Sequence, residues 1–273
     1  MVRGGRTLWK SATGQDDAMN APAMNTPVEP LPAASLILLR DGLDGLEVFM
    51  IQRHRDLRFA PGATVFPGGR LDAEDSELPW RDLSLPLTDD MPQRLAAIRE
   101  AFEECGLLLA AGAPDAIALD RLRVATDGTF LDRLRAAGLD PDVAALVPFA
   151  RWVTPESVWR RYDTLFFIAK APPRQTAVVD GVEAVAGFWG TPRAILAEAE
   201  AERLSLVFAT RMNLLRLAGC RTVRHAMEDA ARFHPLTPIL PCPVDTPEGP
   251  ALCIPDGLGY PLTRVPVDRA RLG

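Results

Sequence analysis

The chain has 273 residues, of which 48% are hydrophobic and 24% charged, and its formal net charge is −6. This length supports one large domain with a sizeable core. The negative charge argues against a nucleic-acid partner held on a broad basic surface. No apolar run reaches the roughly 18 residues of a membrane span, so no membrane partner is expected.

The chain divides by composition into three parts. Residues 1–30 mix Gly, Asn, Pro and Ala with scattered basic residues and lack the apolar core of a secretory signal, so we expect a disordered leader. A main domain is expected over 31–233, and a Pro-rich extension packed on it over 234–273. A reducing cytoplasm is the simplest compartment for this chain, because its four cysteines lie far apart without a C-x-x-C pair and indicate neither zinc nor a disulfide framework.

Two apolar segments, 34–39 and 46–52, are the first predicted strands, and the Asp- and Gly-rich residues 41–45 between them form a predicted hairpin loop. A basic segment then leads into Phe66-Pro67-Gly68-Gly69. The two glycines of this turn let the backbone approach a ligand or a metal closely. We therefore expect a functional corner at Gly68 and Gly69.

An acidic helix is predicted to begin near Asp90 and Pro92, since an acidic cap and a first-turn proline favour a helix start. At about 100° per residue, Glu100, Glu103 and Glu104 fall on one face and point away from the core. The opposite stripe is apolar and consists of Leu95, Ile98, Phe102 and Cys105. Repulsion between like charges disfavours this clustering, whereas a divalent cation with oxygen ligands explains it. An ordinary solvated acidic surface is the alternative.

The remaining elements follow in chain order. We predict a polar helical segment over 119–137, strands near 145–153, 163–169 and 184–189, helices from 192 to 233, and an irregular tail over 234–273.

Gly69, the acidic helix and their neighbours resemble the Nudix hydrolase box. In that box a Glu follows the Gly by six residues, where this chain has the shorter Asp75. The box then continues with Arg-Glu-x-x-Glu-Glu-x-Gly, which stands here at 99–106, 16 residues later than in the usual box. The extra residues form a predicted loop insertion at about 76–92 within a box spanning 69–107, and an insertion of that size costs little closure entropy.

The basic segment resembles the additional motif of the coenzyme A diphosphatase branch of the Nudix superfamily. The motif residues are Arg53, Arg58 and Gly62, followed by the turn that begins at Phe66, and His54 stands where the motif has Ser. Guanidinium groups suit a substrate with a pyrophosphate and a separate phosphate, since each can hold a phosphate through two hydrogen bonds. Pairing of these arginines with nearby carboxylates is the alternative.

The resemblance implies an α/β fold, a Nudix-like α/β/α sandwich around a mixed sheet with an inserted box loop and extra C-terminal helices. It implies Mg²⁺ or Mn²⁺ held by Glu100, Glu103, Glu104 and the Gly68 carbonyl, with Arg99 orienting a carboxylate. The general base is one of these glutamates or a residue of a later loop, where Glu183 is our candidate and Asp180 its rival. The residues expected to bind substrate are Arg53, Arg58, Gly62 and Phe66.

Three functions are compatible with these features. The first is metal-dependent hydrolysis of coenzyme A or acyl-coenzyme A to 3′,5′-ADP and (acyl-)4′-phosphopantetheine. The second is hydrolysis of ADP-ribose or a nucleotide sugar by the same metal site. The third is a non-catalytic nucleotide sensor, ranked last because all three helix glutamates are present. A small-molecule nucleotide is the expected partner, and a homodimer stays open.

Overall fold

A computed structural model describes residues 28–76, 88–112, 114–158, 160–267 and 270. Most of the predicted leader and residues 77–87 of the predicted box insertion lie outside these residues. Within the described part of the chain, no helix combines the length and the apolar character needed to cross a membrane.

The elements agree in type and order with most of the sequence predictions. The strands are β1 (Leu31–Gly42), β2 (Gly45–Arg53), β3 (Thr64–Val65), β4 (Gly68–Arg70), β5 (Ala110–Ala111), β6 (Asp140–Pro141), β7 (Val147–Val153), β8 (Tyr162–Lys170), β9 (Ala184–Gly190), β10 (Pro238–Ile239), β11 (Cys242–Thr246), β12 (Gly249–Cys253) and β13 (Arg264–Pro266). The helices are α1 (Ala73–Ser76), α2 (Met91–Cys105), α3 (Ala116–Val124), α4 (Phe130–Ala136), α5 (Pro192–Glu200), α6 (Phe208–Leu217) and α7 (Val223–Ala231).

A mixed sheet forms the centre of the described residues, with strand order β10-β7-β8-β1-β2-β3. Strand β1 pairs in parallel with β8 and antiparallel with β2, while β4 adds to β1 and β9 adds to β2. The β1–β2 hairpin turns more tightly than predicted, because Gly42 pairs with Gly45 and leaves only Leu43 and Asp44 in the loop.

Strand β1 is buried on both faces, and its side chains alternate between two cores. Leu36 and Leu38 pack in a core that contains α2, whereas Ile37 and Leu39 pack in a core that contains α5, α6 and α7. Successive residues of a strand point to opposite faces, so a continuous apolar run is what a strand between two helical layers requires. The predicted α/β/α arrangement around a mixed sheet, with added C-terminal helices, is confirmed.

Two expectations about the elements are wrong. The segment 119–137 is not one helix: α3 ends at Val124, and α4 begins after Thr129, whose hydroxyl accepts a hydrogen bond from the Asp132 backbone N–H while the Asp132 carboxylate accepts from the Thr129 backbone N–H. Gly128 immediately before this capping box has a φ of +76°, which favours glycine and is incompatible with a continuous helix.

The C-terminal extension is also more ordered than predicted. Strand β10 joins the central sheet beside β7, and β11, β12 and β13 form a separate antiparallel sheet. Ile239, Leu252 and Tyr260 are buried in the core that contains α5 to α7. Four prolines of this region, Pro238, Pro243, Pro250 and Pro266, lie within strands, so proline content alone was a poor guide.

Candidate active site

Helix α2 begins at Met91, with Asp90 at its N-cap and Pro92 in the first turn. The sequence predicted the start of the helix at this position. Its predicted apolar stripe is buried. The three glutamates do not share one exposed face, however: Glu103 is 40% exposed, Glu100 15% and Glu104 only 4% by side chain. Glu104 lies on the flank of the helix that faces the Gly-Gly corner, so the residues of that corner cover its side chain.

The Glu104 carboxylate is held against the backbone of this corner. Its Oε2 accepts a hydrogen bond from the Gly68 N–H at 2.8 Å. Its Oε1 is buried and has no hydrogen-bond partner, with the nearest cation, Arg53 Nη1, at 3.9 Å. Burial raises the pKa of Glu104 to about 8. A buried carboxylate oxygen without a donor is a natural position for a cation.

Arg99 lies between the acidic groups, with its side chain 3% exposed. Its Nη1 donates to Glu100 and Glu103 at 3.1 and 3.0 Å. Its other nitrogens donate to Asp75 and to the Arg70 carbonyl. Burial disfavours the charged form, but the hydrogen bonds to Asp75 and the surrounding negative charges hold the pKa of Arg99 above its ordinary value. Asp75 therefore reaches its partner despite being one methylene shorter than Glu.

Gly69 lets the Glu100 carboxylate lie directly against β4. A Cβ built at residue 69 would lie 2.3 Å from Glu100 Oε1, well inside van der Waals contact. At Gly68, a Cβ would lie 2.4 Å from the Ala34 carbonyl oxygen in β1. Both glycines thus allow β4 to fit between β1 and α2. Burial, with nearby Glu103 and Glu183, raises the pKa of Glu100 to about 7.

The three glutamates of α2 all have a raised pKa. Burial is the first cause of the raised pKa of Glu100, Glu103 and Glu104. Among the described residues, no three side chains already converge as a metal site. Arg99 Nη1 lies between Glu100 and Glu103 and donates to both. The donor set nevertheless fits a hard divalent ion, because it offers carboxylate and carbonyl oxygens and one buried oxygen without a donor.

A cleft of about 580 Å³ opens beside the acidic helix. Among its lining residues are Glu100, Glu103, Arg53 and Arg58. Its remaining wall is largely apolar or aromatic, formed among others by Phe59, Val65, Trp152, Val153, Pro155, Phe166, Val207, Phe208 and Pro241. The cleft therefore joins negative, positive and apolar surface in one space, as a nucleotide with an apolar arm requires.

The four predicted substrate-binding residues differ in whether they line the cleft and in whether they are exposed to it. Arg53 and Arg58 both line the cleft, and the Arg53 Nε is buried without a hydrogen-bond partner. Phe66 lines the cleft but is 3% exposed and packs edge-to-face on Phe166, so it supports the wall. Gly62 is not among the lining residues, and its φ of +68° shows a turn-forming role.

The two candidate bases, both in the loop before β9, make different contacts. Asp180 uses both carboxylate oxygens on the backbone, accepting from the Glu183 N–H at 2.9 Å and the Ala184 N–H at 2.8 Å. Glu183 lines the cleft and is exposed. Its charge also contributes to the raised pKa of Glu100 and Glu104. Asp180 therefore shapes the turn, whereas Glu183 lines the cleft.

Several lining residues were not predicted as site residues. Arg160 and Tyr162 enter the cleft next to Phe59, which stacks edge-to-face on Tyr162 at 5.1 Å between ring centroids. The adjacent Arg160-Arg161 pair was a usable signal, but Arg161 is buried and donates to the Thr154 and Val28 carbonyls. Nothing local in the sequence marks the remote residues of the wall, which come from α6 and from the C-terminal extension.

Comparisons with known proteins agree with this geometry. A family profile described as the NUDT19 Nudix domain matches residues 81–217. Acyl-coenzyme A diphosphatase NUDT19 of Homo sapiens is 32% identical over 204 residues, covering 55% of this chain and 54% of the human protein. Peroxisomal coenzyme A diphosphatase ndx-8 of Caenorhabditis elegans is 41% identical over 76 residues, covering 28% of this chain and 26% of the worm protein.

A solved structure extends the likeness over more of the chain. The crystal structure of a Nudix hydrolase from Alicyclobacillus acidocaldarius superposes with a TM-score of 0.64 at 30% identity, covering 74% of this chain and 97% of that one. By contrast, the chain spans about half the length of its human relative.

Proposed function

Because the chain belongs to the Nudix hydrolase family, we propose that it hydrolyses the pyrophosphate linkage of coenzyme A or an acyl-coenzyme A, releasing 3′,5′-ADP and (acyl-)4′-phosphopantetheine. The human relative is named an acyl-coenzyme A diphosphatase and the worm relative a coenzyme A diphosphatase, and both names point to this substrate class.

One observation carries the proposal: the acidic helix and the motif arginines Arg53 and Arg58 line the same cleft. Carboxylates suit a divalent cation, and guanidinium groups suit the phosphates of the substrate. The apolar wall suits an uncharged pantetheine or acyl arm. A substrate combining these three features satisfies the whole cleft.

The residues that would hold a divalent cation are Glu100, Glu103, Glu104 and the Gly68 carbonyl. When bound, a Mg²⁺ or Mn²⁺ ion would withdraw charge from the pyrophosphate and lower the pKa of an attacking water. Arg99 orients Glu100 and Glu103, and Asp75 orients Arg99 in turn. Arg53 and Arg58 hold phosphate groups of the substrate by charge-assisted hydrogen bonds.

Glu183 is our candidate for the general base. It is exposed on the cleft wall, close enough for its charge to affect Glu100 and Glu104. A base must reach the water by a hydrogen bond, and an exposed carboxylate at the cleft can do so without disrupting packing. Its role is to accept the proton of the attacking water.

The location of the protein is a separate question. The cytoplasmic location stays a prediction, and the peroxisomal name of the worm relative argues against a purely cytoplasmic one.

A substrate panel tests the proposed function. Purified protein with Mg²⁺ is given coenzyme A, an acyl-coenzyme A, dephospho-coenzyme A and ADP-ribose, and the products are separated by chromatography. We expect kcat/KM for coenzyme A to exceed that for dephospho-coenzyme A by about tenfold or more, since a hydrogen bond to a charged phosphate contributes about 1.5 kcal/mol or more. Equal rates would remove the case for recognition of the 3′-phosphate, and preference for ADP-ribose would favour the second function.

A further inference from the structure

The C-terminal sheet places two cysteines opposite each other. In the antiparallel hairpin of β11 and β12, Cys242 pairs in register with Cys253. The sequence separation of these residues hides this relationship, and both are free thiols in the structure. Side chains of directly opposed residues lie on the same face of a sheet, so the two sulfurs share one surface.

The hairpin register defines the spacing of the two backbones. Pro243 lies opposite Leu252 and Pro250 opposite Asp245. Proline has no backbone N–H, so these two positions belong to the non-hydrogen-bonded pairs of the ladder. Pairs alternate along antiparallel strands, so Cys242 and Cys253 form a hydrogen-bonded pair, with a Cα separation of about 5.5 Å. Disulfides bridge Cα atoms roughly 4.4 to 6.8 Å apart, and their Cβ atoms approach to about 3.5 to 4.5 Å, so the Cα spacing fits and closure draws the two side chains slightly together.

Accessibility distinguishes Cys242 from the other three cysteines of the chain. Cys242 is exposed and Cys253 is partly exposed. Cys105 is fully buried in the core, and burial raises the pKa of its thiol to about 12. Burial likewise raises the pKa of Cys220 to about 11. Cys105 is inaccessible to a disulfide reagent because it is buried, and Cys220, which is partly exposed like Cys253 but lies outside any strand, serves as the comparison for a thiol without a residue opposite it in a sheet.

We propose that Cys242 and Cys253 form a modification site, a dithiol that low-molecular-weight disulfides oxidise to a cross-strand disulfide. The Cys242 thiolate attacks one sulfur of the small disulfide, forms a mixed disulfide and releases one small thiolate. The Cys253 thiolate then attacks the Cys242 sulfur and releases the second. Two protein thiols are oxidised, the small disulfide is reduced to two thiols, and the two protein protons pass to them.

The cysteine pair lies next to the cleft in the chain. Pro241, immediately before Cys242, is buried in the cleft wall. Closure of the disulfide would tie the chain segment that carries this wall residue to β12, the central strand of the small sheet.

Intact-mass analysis tests the proposal on the full chain. Reduced protein is incubated with glutathione disulfide, quenched in acid, weighed and mapped by proteolysis. We expect the loss of two hydrogen atoms without a retained glutathione, a peptide linking Cys242 to Cys253, and a fall from four to two titratable thiols after denaturation. A linkage through Cys105 or Cys220, a bond between two chains, or retained glutathione without closure would overturn the proposal.

Single variants separate reactivity from closure. Cys253→Ser should retain one glutathione on Cys242. Cys242→Ser should leave Cys253 without a partner for an intramolecular disulfide. Cys220→Ser is the matched control and should close like the parent chain. If Cys253→Ser stays unmodified while the parent chain is also unmodified, Cys242 is not reactive and the site does not exist. None of these measurements depends on the enzymatic activity.

Discussion

Arg99 and Asp75 form a two-point ion pair in which both side chains are 3% exposed. Arg99 Nη2 lies 2.8 Å from Asp75 Oδ2, and Arg99 Nε lies 3.1 Å from Asp75 Oδ1. The pair joins the short helix α1 to α2 and turns the remaining guanidinium nitrogen toward Glu100 and Glu103. The geometry of the acidic site therefore depends on a residue that does not line the cleft.

Removal of this partner should destabilise the protein. Asp75→Ala leaves a buried guanidinium without two of its five hydrogen bonds, and we expect the free energy of unfolding in urea to fall by about 3 kcal/mol. Asp75→Asn keeps one acceptor oxygen and should lose less. Asp89→Asn, at an exposed position, is the control and should unfold like the parent chain. Equal stability of Asp75→Ala and the control would contradict the structural role of the pair.

The carboxylates of α2 are expected to bind the catalytic metal. Glu103→Gln and Glu104→Gln each remove a negative oxygen, so we expect kcat to fall by about a hundredfold or more, the range typical of lost electrostatic stabilisation at a reacting centre. The upward shift of Tm on adding Mg²⁺ should shrink in parallel. Glu248→Gln, in the exposed β11–β12 turn, should change neither quantity. Near-normal turnover of both site variants would refute the metal assignment.

Arg58 is expected to contact a phosphate remote from the bond that breaks. Arg58→Ala should raise KM for coenzyme A about tenfold and leave kcat within about twofold, because a remote contact contributes equally to substrate and transition state. Arg55→Ala is a matched control, since Arg55 is an exposed neighbour that does not line the cleft. A loss confined to kcat would contradict this role.

Glu183 and Asp180 should respond differently to substitution. Glu183→Gln should lower kcat about a hundredfold with little change in Tm, because the side chain is exposed at the cleft. Asp180→Ala should lower Tm, because the Glu183 and Ala184 backbone N–H groups lose their acceptor. Full activity of Glu183→Gln would indicate that a glutamate of α2, and not Glu183, is the general base.

The pH dependence of stability follows from the raised pKa values of Glu100 and Glu104. These groups titrate near 4.5 when unperturbed and at about 7 and about 8 in the folded chain. Between these limits the folded state binds more protons than the unfolded state, so the stability of the metal-free protein falls as pH rises toward about 8.

A divalent ion should reverse this loss, since it binds the deprotonated carboxylates. We expect the Mg²⁺-induced rise in Tm, measured against EDTA, to grow from about pH 6 to about pH 8. Glu104→Gln should flatten the profile. A Mg²⁺ effect that is independent of pH in the parent chain would show that these carboxylates are not the ligands.

The local features of the site could be read from the sequence because short-range physics controls them. The 3.6-residue period predicted the buried stripe of α2, and Asp90 with Pro92 predicted its start. The burial of Glu104 could not be predicted, because its exposure depends on whether β4 passes over that flank of the helix. The break between α3 and α4 is different, because Gly128 and the Thr129–Asp132 capping box are local signals that a prediction of one helix overlooked.

By itself, the sequence determined most of the order of strands and helices before residue 234, the α/β class, the Gly-Gly corner and the acidic run, since each depends on residues close together in the chain. Only the tertiary structure decided which glutamate is buried, that Asp75 holds Arg99, that α6 and Pro241 complete the cleft wall, and that Cys242 faces Cys253. Those relationships join distant segments, and their distances follow from strand register and layer packing, which no local pattern of residues specifies.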